Sequence, residues 1–110
     1  MQTLILNGQE KILRDQHEKY AGAELSDLIV PVKFFGLNIN WRWYLLTQDP
    51  EDPDYLWAIV QGFELEMGSV SLSELAEQRF HGIPAIERDI HFKPVNAKEL
   101  WDKLSRGEHV

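Results

Sequence analysis

The strongest constraint on the fold is the segment at residues 41–47, which reads WRWYLLT and has the bulky, aromatic composition of a β-strand. Trp41 and Trp43 are two residues apart, so in a strand they project from the same face of the sheet. Further strand patterns occupy residues 28–35, 55–61, 63–67 and 86–92. Because the first four strands follow one another through short connections, the sequence predicts an antiparallel meander.

The segment at residues 63–67 alternates between apolar and acidic side chains, which is the pattern of a strand with one face on the core. This alternation predicts that Phe63, Leu65 and Met67 point inward, whereas Glu64 and Glu66 face solvent. The connections are predicted as a turn at residues 36–40 and an exposed, proline-containing acidic loop at residues 48–54.

The last predicted strand, at residues 86–92, has one mainly apolar face and one polar face. The apolar face carries Ile86, Arg88, Ile90 and Phe92. The polar face carries Glu87, Asp89 and His91. An arginine among apolar neighbours is expected to be partly buried in an ion pair with a strand or helix carboxylate, which we favour over a role in binding an anionic ligand.

Three helices complete the pattern. Apolar spacing predicts the first at about residues 8–19, with Asn7 as its cap. A capping box at residues 71–74 opens a second helix that runs to Phe80 and stops at His81 and Gly82, and Asn96 caps the third. We therefore expect an α+β fold: an antiparallel meander of four to five strands with about three helices packed mainly on one face, in a single domain over residues 1–110.

Charge and cysteine content restrict the classes of function. Eighteen acidic and eleven basic side chains give a formal charge of −7, which disfavours direct binding to nucleic acids or anionic membranes. The chain has no cysteine, and its first residues lack the pattern of a signal peptide. We expect a cytoplasmic protein without a disulfide, zinc finger or thiol nucleophile.

The chemical candidates are aromatic and acidic side chains, since the sequence contains no phosphate loop, nucleophile elbow or metal-spaced Cys/His set. The candidate binding residues are Trp41, Trp43, Arg88, Glu64, Glu66, Glu87, Asp89 and His91. The carboxylates and the imidazole would form an acid–base or metal-binding site only if the strands at residues 63–67 and 86–92 were neighbours. The sequence predicts no catalytic residue, metal or cofactor, and hydrated polar faces are the simpler interpretation.

The order of several motifs resembles a small family of uncharacterised proteins, domain of unknown function family 2958. The motifs are PVKFF at 31–35, NWRWY at 40–44, GFE at 62–64, LEMG at 65–68, SLSEL at 71–75 and IERDIHFKP at 86–94. The resemblance covers about residues 28 to 95. It implies single-domain proteins that are often encoded on plasmids, phages and other mobile elements, and it implies no activity or binding residue.

Three functional hypotheses remain open at this point. The first is a non-enzymatic protein-binding or accessory factor, anti-defence or regulatory in the context that the resemblance implies, which uses exposed aromatic side chains ringed by carboxylates. The second is a small metal-assisted hydrolase built from Glu64, Glu66, Glu87, Asp89 and His91. The third is a homodimer with the tryptophan-bearing face as its interface. A DNA mimic is less favoured, because the acidic residues are interleaved with basic ones.

Overall fold

The structure is a computed structural model that describes residues 3–20 and 22–110. Within those residues, the α-helices are α1 (Asn7–Lys19), α2 (Leu72–Glu77) and α3 (Ala97–Ser105), and a 3₁₀ turn lies at Leu25–Asp27. The strands are β1 (Ile29–Val30), β2 (Lys33–Gly36), β3 (Arg42–Gln48), β4 (Tyr55–Gln61), β5 (Leu65–Ser71), β6 (Arg79–Phe80), β7 (Ile83–Pro84), β8 (Ile86–Arg88) and β9 (Val95–Asn96).

The central sheet has five strands in the order β5-β4-β3-β2-β8, and every pair in it is antiparallel. Strands β2 to β5 form the predicted meander, and β8 returns to pair with β2 at the far edge. The α+β fold class is thereby confirmed. Strand β3 is buried from Trp43 to Gln48, and β4 is buried at Leu56 and from Ala58 to Val60, since both faces of the sheet are covered there.

Pro31 divides the strand that the sequence predicts at residues 28–35. Proline has no N–H to donate to a ladder. The chain accordingly leaves one sheet and enters another: β1 pairs with β9 in a small separate sheet, and β2 joins the central one. The prediction of one continuous strand is therefore wrong.

Two apolar clusters lie on opposite faces of the central sheet, because alternate side chains of β3 and β4 point to opposite sides. The first contains Trp43 and Leu45, and α1 and α2 contribute Leu13 and Leu75 to it. The second contains Tyr44 and is covered by α3 through the buried side chains Ala97, Leu100 and Leu104. Two of the three helices thus pack against the first cluster, as the sequence suggests.

Gln16 of α1 completes the hydrogen bonding of β3 where a β-bulge interrupts the ladder between Leu45 and Thr47. Its Nε2 donates to the carbonyl oxygens of Leu46, at 2.7 Å, and Ile29, at 2.9 Å. Its Oε1 accepts from the N–H of Ile29 at 2.7 Å. One side chain therefore provides hydrogen-bond partners for three backbone groups, and it is itself 8% exposed.

A second buried polar group lies on the face covered by α3. Lys33 Nζ donates to the main-chain oxygen of Val110 at 2.7 Å and lies 3.4 Å from Asp89 Oδ2. Tyr44 Oη donates to the same oxygen at 3.2 Å. Burial lowers the pKa of Lys33, against the opposing charge of Asp89, and raises the pKa of Tyr44 to about 12.

The last strand is shorter than predicted. The β8 strand ends at Arg88 because Asp89 Oδ1 accepts from the N–H of His91 and turns the chain. Ile90 is consequently 70% exposed rather than inward, whereas Phe92 reaches the second cluster and packs against the Tyr44 ring. The prediction that Ile90 lies on the same inward face as Ile86 is therefore wrong.

The second helix is also shorter than predicted. The Ser71 hydroxyl accepts from the N–H of Glu74, which confirms the cap, but α2 ends at Glu77. The following strands β6 and β7 form a hairpin around His81 and Gly82, which both have positive φ, at 52° and 82°. Two such residues are typical of a tight hairpin turn, so this pair closes a hairpin instead of ending a helix.

The ends of the other elements agree closely with the sequence. The first helix begins at Asn7, and the Leu6 N–H donates to the Gln9 side chain, so Leu6 rather than Asn7 is the cap residue. Asn96 caps α3 through the N–H groups of Lys98 and Glu99. Among residues 3–20 and 22–110, no helix combines the length and the apolar character needed to cross a membrane.

Candidate functional site

Trp41 and Trp43 share a face of the sheet, but the structure gives them different environments. Trp43 is 5% exposed and belongs to the first apolar cluster. Trp41 precedes β3, is half-buried, and packs against Trp43 with ring centroids 6.0 Å apart. Of the predicted pair, only Trp41 therefore remains accessible at the surface.

Phe63 is the most exposed apolar side chain among the large ones that the structure describes, at 94%. It lies in the turn between β4 and β5, and its ring meets the Trp41 ring edge-on at 5.4 Å. The sequence prediction that Phe63 and Met67 point inward is wrong, because both side chains are exposed. Leu65, the third residue predicted to point inward, is partly buried. Glu64 and Glu66 are exposed, as predicted. The predicted strand begins at Phe63, but residues 62–64 form a turn, so β5 begins only at Leu65.

Gly36 and Gly62 lie at the ends of the β2–β3 and β4–β5 hairpins, where the absence of a side chain lets Ile39 and Trp41 pack against the backbone. A Cβ on Gly62 would lie 2.7–2.8 Å from Trp41 ring atoms, and one on Gly36 would lie 2.5 Å from Ile39 Cγ1. Ile39 and Trp41 also line one shallow concavity. Ile39, Trp41 and Phe63 are hereafter called the tip patch, because they lie where the β2–β3 and β4–β5 hairpins turn.

Substitution of Gly62 by alanine should displace the Trp41 ring, because the new methyl group would overlap rigid ring atoms. We expect the free energy of unfolding to fall by about 1–3 kcal/mol. Trp41 fluorescence should change as well. Urea denaturation followed by tryptophan emission measures both effects.

Gly68→Ala is the matched control, since a Cβ at Gly68 on β5 meets nothing within 4 Å. We expect this variant to unfold at the same urea concentration as the wild type or slightly above it. Equal stability and emission for the two alanine variants would show that Trp41 does not rest on Gly62 in solution.

Acidic side chains flank the tip patch. Glu64 follows Phe63 directly, and Glu66 lies on β5 opposite Val60. The nearest cation along β3 is Arg42, whose Nη1 lies 3.4 Å from the Gln61 side-chain oxygen. The tip patch is therefore an aromatic protrusion bordered by carboxylates.

The remaining acidic candidates lie at the other edge of the sheet. Glu64 and Glu66 belong to the β5 side and Glu87 to β8, which are separated by four strand spacings, or about 19 Å. Asp89 is engaged by Lys33, and no group of three or more His, Asp or Glu side chains that could hold a metal ion occurs in the part of the chain that the structure describes. The geometry therefore does not assemble the hydrolase site.

Arg88 and His91 complete the predicted set. The guanidinium of Arg88 is partly exposed and donates to the Thr3 carbonyl oxygen, so it holds the segment that precedes α1. This contact is to the backbone, and the carboxylate partner of Arg88 stays a prediction. His91 is exposed in the turn after β8.

Sequence reasoning missed a groove at the opposite end of β3 and β4. Its lining residues are His17, Tyr20, Thr47, Tyr55 and Trp57. They come from α1 and two strands and are up to 40 positions apart along the chain, so no local motif unites them. The only signal in the sequence is the density of aromatic residues.

The arrangement defines a class: a small α+β protein with a five-stranded antiparallel sheet covered on both faces and with exposed apolar side chains at the hairpin ends. The chain belongs to the family described as protein of unknown function (DUF2958), whose model matches residues 4–108. The family resemblance drawn from the motifs is thereby confirmed. No curated protein and no solved structure matches the chain.

Proposed function

We propose that this protein is a non-enzymatic binding factor that docks on a protein partner through the tip patch. The observation that carries the proposal is Phe63, which stands almost completely in solvent while it is braced by Trp41. An exposed aromatic side chain with a rigid support loses little conformational entropy on binding, which is typical of an interface anchor.

The charge around the anchor indicates the kind of partner. Glu64 and Glu66 are exposed beside Phe63, and the chain carries a formal charge of −7. The acidic chain would attract a basic surface of the partner over long range. Once bound, it would compete with nucleic acid for that surface. In the mobile-element context that the family resemblance implies, a host regulator or a nuclease of a defence system has such a surface along its nucleic-acid groove.

The proposal is tested by affinity capture from a lysate of the source cell with three forms of the full chain. These are the wild type, Phe63→Ser, and Ile90→Ser as a control that removes another exposed apolar side chain. We expect one protein to be captured equally by the wild type and Ile90→Ser and about tenfold less by Phe63→Ser. Equal capture by all three forms, or the absence of any reproducible partner, would contradict the proposal.

A homodimer through the same patch is the alternative outcome. In that case the partner recovered would be a second copy of the chain, and the sedimentation coefficient would rise with protein concentration. Phe63→Ser would abolish this rise, whereas Ile90→Ser would preserve it. A sedimentation coefficient that matches the mass of the monomer at every concentration excludes the dimer and leaves the hetero-partner hypothesis to the capture experiment.

A further inference from the structure

The groove at the β3–β4 loop is a second surface, separate from the tip patch. Thr47 and Tyr55 lie at one end of the β3–β4 hairpin, and Arg42 and Gln61 lie at the other, about 17 Å away. The groove encloses about 400 Å³, which is within the roughly 300–1,000 Å³ of small-ligand clefts. It can therefore accept a side chain or a small molecule.

The walls of the groove are aromatic. Tyr20, at the end of α1, packs edge-on against Trp57 with ring centroids 6.2 Å apart, and Tyr55 lines the same space. Three aromatic rings around one space provide π faces to which a cation is attracted. Trp57 Nε1 itself is buried and has no hydrogen-bond acceptor among the described residues, so an occupant of the groove meets the Trp57 ring and not this N–H.

The rim of the groove is acidic. The loop that joins Thr47 to Tyr55 carries Asp49, Glu51, Asp52 and Asp54. Asp49 Oδ1 lies 3.8 Å from Nε2 of His17, which lines the groove, so this carboxylate borders the groove at its rim. Tyr55 also lines a separate concavity, together with Asp52, Asp54 and Glu74. A neutral occupant would gain nothing from this charge, whereas a cation would.

We infer that the groove binds an arginine side chain from a basic segment of a partner protein. The guanidinium is planar, stacks on aromatic faces, and donates in two directions to a carboxylate such as Asp49, which suits this combination of walls and rim. This site is independent of the tip patch, and either surface can act without the other.

The test is a titration of the full chain with the blocked peptide acetyl-Gly-Arg-Gly-Arg-Gly-amide, followed by the indole N–H resonance of Trp57. The control peptide has citrulline at both arginine positions, which keeps the shape of the side chain and removes its charge. We expect a saturable shift with the arginine peptide, binding at least about tenfold weaker with citrulline, and weaker binding in about 0.5 M salt than in about 0.05 M salt.

Substitutions at the surface of the groove complete the test. Tyr55→Ala should weaken binding of the arginine peptide about tenfold, because it removes one aromatic wall. Phe80→Ala is the matched control, since Phe80 is 40% exposed and Tyr55 is 43% exposed, and Phe80 does not line the groove. Equal affinity for the two peptides, an unchanged affinity in Tyr55→Ala, or no saturable shift up to about 5 mM peptide would each overturn the inference.

Discussion

Gln16→Ala is expected to lower the free energy of unfolding by about 3 kcal/mol. The substitution removes three hydrogen bonds and leaves the carbonyl groups of Leu46 and Ile29 and the N–H of Ile29 without the partner that they have now. The loss costs about 1–3 kcal/mol where the group is buried, as at Leu46, and less at Ile29, which is 46% exposed and can bind water instead. Urea denaturation monitored by circular dichroism measures the change.

Two further variants separate this effect from general damage to α1. Glu18→Ala changes an exposed position on the same helix and should leave stability within about 0.5 kcal/mol of the wild type. Gln16→Leu keeps most of the side-chain volume but cannot form hydrogen bonds, so it should be about as unstable as Gln16→Ala. If leucine restored wild-type stability, the contribution of Gln16 would be packing and not hydrogen bonding.

Alkaline pH is expected to destabilise the protein through Tyr44. Burial raises the pKa of Tyr44 to about 12, from 10.0 in its unperturbed state. Because the folded protein holds this proton more tightly, the stabilisation is complete below pH 10 and is lost as the pH rises from about 10 to 12. The loss should reach about 2 kcal/mol at the upper end.

Tyr44→Phe provides the comparison, because phenylalanine has no proton to lose. At pH 8 it should be about 1 kcal/mol less stable than the wild type, since it lacks the hydrogen bond to Val110. Between pH 10 and 12 its stability should fall less steeply than that of the wild type. The lowered pKa of Lys33 acts in the opposite direction, but it is present in both proteins and largely cancels. Parallel pH profiles would show that Tyr44 does not titrate in a buried state.

The parts of the fold that the sequence predicts are those set by local pattern. The strands around Trp43 and Ile59 were recognisable because bulky residues run without interruption between turn-forming segments. The caps at Ser71 and Asn96 were recognisable because their hydrogen bonds reach only two or three residues ahead. Such features do not depend on the rest of the chain.

The errors have non-local causes. Whether Pro31 begins a strand or separates two depends on the distant residues 95–96, which pair with β1. Phe63 lies in the turn before β5, but it is apolar and two residues before Leu65. It therefore matches the alternating pattern of the strand by chance, and this pattern places it in the core. The length of β8 depends on the Asp89 side chain, which closes a turn while also pairing with Lys33.

The candidate site was predicted only in part. An exposed aromatic residue bordered by carboxylates was expected, and Trp41 belongs to it, but its most prominent member, Phe63, had been assigned to the interior. The proposed meeting of Glu66 with Glu87 failed on strand order, which the sequence does not specify for a returning strand. The groove at Trp57 depends on the docking of α1, and this docking is a tertiary contact without a local signature.

Double coverage of the sheet restricts which positions of this chain tolerate substitution. From Trp43 to Gln48 every side chain of β3 is buried, so no position there is free to change its chemistry without a matching change in a neighbour. The loops at both ends of the same hairpin carry no such restriction. Substitutions can therefore alter the surface chemistry at either end of the sheet while its interior stays the same.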